Sequence, residues 1–157
     1  GAVEKGVAAL RSGCDIVTDT QMARAGINKT ALARLGGQVH CFMADETVAK
    51  IAKERGMTRA AVSMEMATKL KKPLIFAIGN APTALIQLYE MLKDQRFRPE
   101  FIIGVPVGFV NVEAAKELIL ETEVPHIINR GRKGGSNVAA AICNAILYEL
   151  KKEQSGV

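Results

Sequence analysis

The chain has no tryptophan, and only two tyrosines and five phenylalanines among its 157 residues. A core so poor in aromatics has to be built from Ala, Val, Ile, Leu and Met. Cysteine is also scarce: Cys14, Cys41 and Cys143 are widely spaced and odd in number. That argues against a disulfide framework or a zinc site and points to a reducing cytoplasm. The longest apolar runs are strand-sized, well short of the ~20 residues a membrane helix needs. No charged segment followed by an apolar one opens the chain, so no signal peptide is visible. Catalytic signatures are missing too: no serine-hydrolase elbow, no paired-carboxylate pattern, no cluster of metal ligands. Neither GxxxxGK[ST] nor GxGxxG occurs, which weakens any nucleotide reading.

What is present is ordinary in amount and regular in arrangement. Apolar residues make up 48% and charged residues 24%, and the length fits one domain, read as residues 1–152 with a flexible tail at 153–157. The net charge of +5 invites a nucleic-acid reading. However, basic residues pair with acids along the predicted helix that holds Glu46, Lys50, Lys53 and Glu54, and no basic stretch is studded with aromatics. The local excess of cations lies at Lys69–Lys72, which reads as a solvated surface, and at Arg130, Arg132 and Lys133. The second group sits in a glycine-rich turn and is better explained by an anionic small molecule.

Periodicity predicts an amphipathic helix over Ala2–Ser12 closed by Gly13, then strands at Ile16–Asp19 and Val39–Met43. A brief helical piece near Met22–Ala25 separates them. Helices follow over Glu46–Arg55, ended by Gly56, and over Arg59–Leu70, capped by Thr58 with an inner face of Val62, Met66 and Leu70. From there strands and helices alternate: Leu74–Ile78, Pro82–Lys93, Phe101–Val105, Glu113–Thr122, Ile127–Asn129 and Asn137–Lys151. Five strands alternating with helices predict an α/β fold, a parallel sheet covered on both faces. Its ligand would bind outside the carboxyl ends of the strands. The chain starts inside a helix without a capping residue, as expected of a piece of a longer protein.

Three strand-to-helix turns carry the candidate chemistry. In Gly79-Asn80-Ala81-Pro82-Thr83, Asn80 is the expected N-cap, and the helix start offers free N–H groups to a carboxylate or phosphate. The bland alternative is a well-capped turn. Gly104-Val105-Pro106-Val107-Gly108-Phe109 shapes a turn on which a ligand plane could lie, or is simply a turn. Gly131-Arg132-Lys133-Gly134-Gly135-Ser136 joins two cations to Ser136 as N-cap of the last helix, an anion site in outline. Arg59 places a cation at a helix start, against the helix dipole, and Asp19 ends the first strand facing the ligand edge. The two histidines, His40 and His126, lie in or beside apolar strands without an evident catalytic partner, and both read as structural.

Taken together and in this order, the motifs resemble the precorrin-8X methylmutase family. The likeness rests on IVTDTQMARAGI at Ile16–Ile27, MTRAAV at Met57–Val62, IGNAPTAL at Ile78–Leu85, GVPVGFVNVEAAKE at Gly104–Glu117 and RGRKGGSNVAAAICNAI at Arg130–Ile146, and it spans essentially the whole chain. It implies a three-layer, flavodoxin-like α/β/α fold with a five-stranded sheet and a methyl shift from C11 to C12 of a corrin-type macrocycle in cobalamin biosynthesis. No dissociable cofactor and a homodimer are implied as well. The family's catalytic histidine belongs to a VHA-type motif in a preceding segment. This chain has no such motif, and His40 falls where the family varies, so no catalytic residue is expected here. The substrate-binding set expected on the strand-end motifs is Asp19, Met22, Arg59, Asn80, Thr83, Lys116, Arg130, Arg132 and Ser136. Lys116 matches a family lysine, whereas the nearby acid stands one place early, as Glu113. Two other readings compete: a non-catalytic tetrapyrrole- or anion-binding module, and a nucleotide-binding flavodoxin-like domain.

Overall fold

The computed structural model of the chain describes residues 1–155. Five short strands, β1 (Asp15–Thr18), β2 (Val39–Cys41), β3 (Leu74–Ile78), β4 (Phe101–Gly104) and β5 (His126–Ile128), form one sheet in the order β2-β1-β3-β4-β5. Every neighbouring pair is parallel. Eight helices connect and flank them: α1 (Ala2–Arg11), α2 (Gln21–Gly26), α3 (Lys29–Ala33), α4 (Glu46–Arg55), α5 (Arg59–Ala67), α6 (Pro82–Lys93), α7 (Val112–Leu120) and α8 (Ser136–Ser155). The 2-1-3-4-5 order is that of flavodoxin-like doubly wound folds, with its switch point between β1 and β3.

Side-chain alternation along the strands divides the core into two layers. Ile16, Ile75, Ala77, Phe101 and Ile103 face α1 and α8, while Val17, Leu74, Phe76, Ile78 and Ile102 face α5, α6 and α7. Phe76 meets Phe97 edge-on at 5.9 Å, filling volume that aliphatic side chains leave. Helix α6 shows why these segments are helical. Ala84, Leu85, Leu88 and Met91 fall on one buried face, and Pro82 occupies the first turn, where its missing N–H costs nothing. Burying each large side chain of that face contributes about 1.5–3 kcal/mol.

Several expectations need correction. The inner face of α5 centres on Ala60, Met64 and Ala67, with Val62 turned to a small second cluster beneath α4 that Met66 only flanks. The helix is therefore covered on two sides, which a single stripe of apolar residues does not reveal. Helix α3 was not anticipated, being five residues long and polar apart from Leu32 and its alanines. At the carboxyl end, α8 runs through Ser155, so residues 153–155 are helical rather than tail, and residues 156–157 lie outside the described residues. Among the described residues no helix is long and apolar enough to cross a membrane. Cys14 and Cys143 are core residues, and burial pushes the Cys143 thiol up to about 12.

His40 has the carboxylate partner that its sequence neighbours do not supply. Its Nε2 lies 2.8 Å from Asp15 Oδ2, while Lys72 Nζ lies 2.8 Å from Oδ1 and the Gln38 N–H donates to Oδ1 at 2.9 Å. Burial alone would raise the Asp15 carboxyl, but Lys72, His40 and Gln38 together hold it below the usual carboxylate range. A carboxyl lowered on folding stabilises fully above its unfolded value of about 3.9, and that contribution is lost as pH falls through the folded value. Melting curves from pH 7 to 3 should therefore show the advantage of the native chain over Asp15→Asn shrinking below roughly pH 4. An advantage that stays constant down to pH 3 would refute this role.

Candidate functional site at the strand-end edge

The carboxyl ends of β1, β3, β4 and β5 do not simply converge; their turns are bonded to one another. At the switch point, Asp19 is 1% exposed and accepts three backbone N–H groups: Gly79 at 2.9 Å on Oδ1, Asn80 at 2.9 Å and Ala81 at 2.6 Å on Oδ2. Burial pushes this carboxyl up, against the pull of those donors. Both of its oxygens accept, the pattern of an ionised carboxylate. The N–H groups expected to greet a substrate anion at the start of α6 are thus already held by an internal one. This corrects two expectations. Asp19 is a structural tie rather than a ligand-facing group, and α6 is capped at Ala81, with Asn80 contributing its backbone while its side chain stays exposed.

The turn after β3 is pressed onto the start of α8. A Cβ at Gly79 would come within 2.7 Å of Gly135 O and Ser136 Cα, so only glycine fits. Ser136 begins α8, and its hydroxyl lies 2.7 Å from that of Thr20, which in turn caps α2 through the Ala23 N–H. The turn after β4 joins in through Val105, whose carbonyl accepts the Gly135 N–H at 2.8 Å. Gly134 approaches the same carbonyl so closely that a Cβ would lie 2.0 Å from the oxygen, at a φ of +154°. On the neighbouring side the Thr58 hydroxyl donates to Thr83 at 3.0 Å, fastening the start of α5, and with it Arg59, to the start of α6.

Lys116 also departs from expectation. It is 2% exposed, and its ammonium donates to the carbonyls of Gly131 at 2.7 Å and Lys133 at 3.0 Å instead of facing a substrate. Burial pulls its pKa below the ordinary lysine value, opposed by the nearby Glu113 charge. Asn129 adds a second tie, donating from Nδ2 to Lys133 O at 2.7 Å, and its buried Oδ1 has no partner among the described residues. With its carbonyls drawn inward, the 131–133 segment leaves Arg130, Arg132 and Lys133 exposed. Arg59 and Met22 are exposed as well. So are two apolar side chains, Phe109 (85%), which stands beside Arg132, and Val110 (75%).

Of the nine residues expected to bind substrate, Met22, Arg59, Asn80, Arg130 and Arg132 present exposed side chains, Thr83 and Ser136 are half-buried and bonded to neighbouring turns, and Asp19 and Lys116 are internal. Reading the sequence missed Thr20 and Asn129, took Thr58 only as the cap of α5, and named Phe109 only as part of its turn. Phe109 carried a further signal, as an aromatic in a chain with few, placed in a glycine-flanked turn. His126 opens β5, away from this edge, and His40 is bound to Asp15, the first residue of β1. A rigid backbone floor, outward cations and two exposed apolar side chains suit a broad, flat polyanion.

Residues 1–149 match the sequence model of the family described as Precorrin-8X methylmutase. A cobalt-precorrin-8 methylmutase of Priestia megaterium is 44% identical over 92% of this chain and 64% of its own length, and one of Salmonella typhimurium is 43% identical over 96% and 70%. The chain thus spans about two thirds of the length of these relatives. A crystal structure of a precorrin-8X methyl mutase from Thermus thermophilus superposes with a TM-score of 0.86 at 36% identity, covering 98% of this chain and 74% of that one. Motif order, fold and relatives coincide along nearly the whole sequence, and the chain belongs to the precorrin-8X methylmutase family.

Proposed function

We propose that this chain is the core of a precorrin-8X or cobalt-precorrin-8 methylmutase, an isomerase moving a methyl group from C11 to C12 of a corrin-type macrocycle to give hydrogenobyrinate or cobyrinate. The observation that carries the reading is the locked strand-end floor with Arg59, Arg130 and Arg132 exposed around it. Peripheral acetates and propionates pair with the arginines, and the ring lies on backbone that does not have to rearrange. A methyl migration is unimolecular, so fixing the ring's shape and compensating the charge that develops during the shift are what a protein surface contributes. Neither histidine reaches this edge, so the proton donor is assigned to residues outside this chain. A cytoplasmic homodimer is part of the same proposal.

The test is an absorbance titration with hydrogenobyrinate, followed by an isomerisation assay on this chain and on the full-length protein. The chain should bind the ring without turning it over, and the full-length protein should do both. Arg59→Ala and Arg130→Ala should each weaken binding about tenfold, as expected for one charge-assisted contact of about 1.5 kcal/mol. Binding by both proteins with turnover by neither would favour the non-catalytic binding module. Failure of both to bind would end the assignment.

A further inference from the structure

Arg132 is fixed to a degree unusual for an exposed cation. The carbonyls on either side of it, those of Gly131 and Lys133, are both held by the buried Lys116 ammonium. The segment is anchored again two residues on, where the Gly135 N–H donates to Val105 O at 2.8 Å and Val107 lies against Gly135. The side chain is then gripped from two directions. Its Nε donates to Glu113 Oε1 at 3.0 Å, and its guanidinium carbon stands 5.8 Å from the centre of the Phe109 ring. Phe109 is itself set by its backbone, between Gly108 at φ +130° and Asn111 at φ +62°. Nη1 and Nη2 make no hydrogen bond among the described residues.

From this geometry we infer that Arg132 is a pre-aimed receptor for a single substrate carboxylate, with Glu113 and Phe109 as its positioning residues. The inference rests on the functional reading above and deepens it. A guanidinium with Nε engaged and one face covered has one edge left, the pair of Nη donors that matches a carboxylate in two parallel hydrogen bonds. The Glu113–Arg132 pair is more than half exposed on both sides, so its contribution is direction rather than stability. A ring bearing a neutral amide where this carboxylate falls lacks one acceptor oxygen and the charge, and binds more weakly.

Two measurements test the inference. In hydrogenobyrinate titrations, Arg132→Ala should weaken binding about tenfold, and Phe109→Leu and Glu113→Gln about threefold each, with melting temperatures unchanged. Combining either with Arg132→Ala should add nothing further, because both act through the arginine. Additive losses would mean that Phe109 or Glu113 touches the ring itself, and would overturn the positioning role. In the ligand-free chain, NMR of arginine side chains should show a sharp, slowly exchanging Arg132 Nε–H signal that Phe109→Leu and Glu113→Gln broaden. A signal already broad in the unmodified chain would overturn the fixed geometry whether or not the ring binds. Failure of the unmodified chain to bind, with that signal sharp, would count against the functional reading alone.

Discussion

Replacing Asp19 by alanine is expected to destabilise the fold by about 3 kcal/mol, lowering the melting temperature by roughly 10 °C, and to abolish ring binding. Three N–H groups from the turn after β3 lose their acceptor at once. The Gly79 donor is buried and has no water to turn to. The loss also parts the ends of β1 and β3, whose registers meet along the strands from Asp15 opposite Leu74 to Thr18 opposite Ala77. Asp19→Asn keeps the shape but turns an N–H toward at least one of the donors, and should fall between the two. Thermal melts of the three proteins, each followed by titration with hydrogenobyrinate, provide the check. Native-like melting of Asp19→Ala would show that the carboxylate is dispensable and that the turn holds without it.

Gly134→Ala should have the second largest effect. A methyl group at this position would sit 2.0 Å from Val105 O and 3.2 Å from Pro106 O, with φ at a value L residues rarely adopt. Both obstacles are backbone, so no side chain can swing aside. The 131–135 segment has to lift, breaking the Gly135–Val105 hydrogen bond. Overpacking of this kind costs about 3 kcal/mol where it is absorbed locally. Ring binding should fall at least tenfold, since Arg130 and Arg132 move with the segment. Equal melting temperature and equal affinity in the alanine variant would contradict the close packing of these two turns.

Much of this fold could be read from residue order, and the reasons are local. Strand β3 and helix α6 lie where expected, because a run of five apolar residues and a proline at a helix start leave few alternatives. The same holds for α4, ended by a left-handed Gly56. Strand β1 was shifted by one residue because Asp15 looks like a loop residue. It is a strand residue whose charge is compensated by His40 and Lys72, 25 and 57 positions away, and only the fold brings them together. Helix α7 begins one residue early for a related reason, since Asn111 adopts the left-handed conformation without capping through its side chain.

The site was legible as an address and misread in its chemistry. Cations in glycine-rich strand-end turns pointed to the edge where Arg59, Arg130 and Arg132 are exposed. All nine residues of the expected set were read as substrate-facing, whereas Asp19 and Lys116 are internal and Thr83 and Ser136 are bonded to neighbouring turns. Asp19 and Lys116 are both satisfied by backbone groups rather than side chains, and a bond to backbone leaves no trace in residue identity. The side chains that do face outward include those of Arg59 and Arg130, and of Phe109, whose exposure runs against its hydrophobicity.

The tie at Asp19 also sets the tempo of the edge. Turns in most proteins exchange their amide hydrogens with solvent quickly, because small local openings free them. Here the amides of Gly79, Asn80 and Ala81 bond to a carboxylate that belongs to another strand, and that of Gly135 to the end of a third. None can open alone. Deuterium should therefore enter these four positions on the timescale of the central strands, orders of magnitude later than in a free turn, although Asn80 lies at the surface. The strand-end surface is, in that sense, an outward extension of the core.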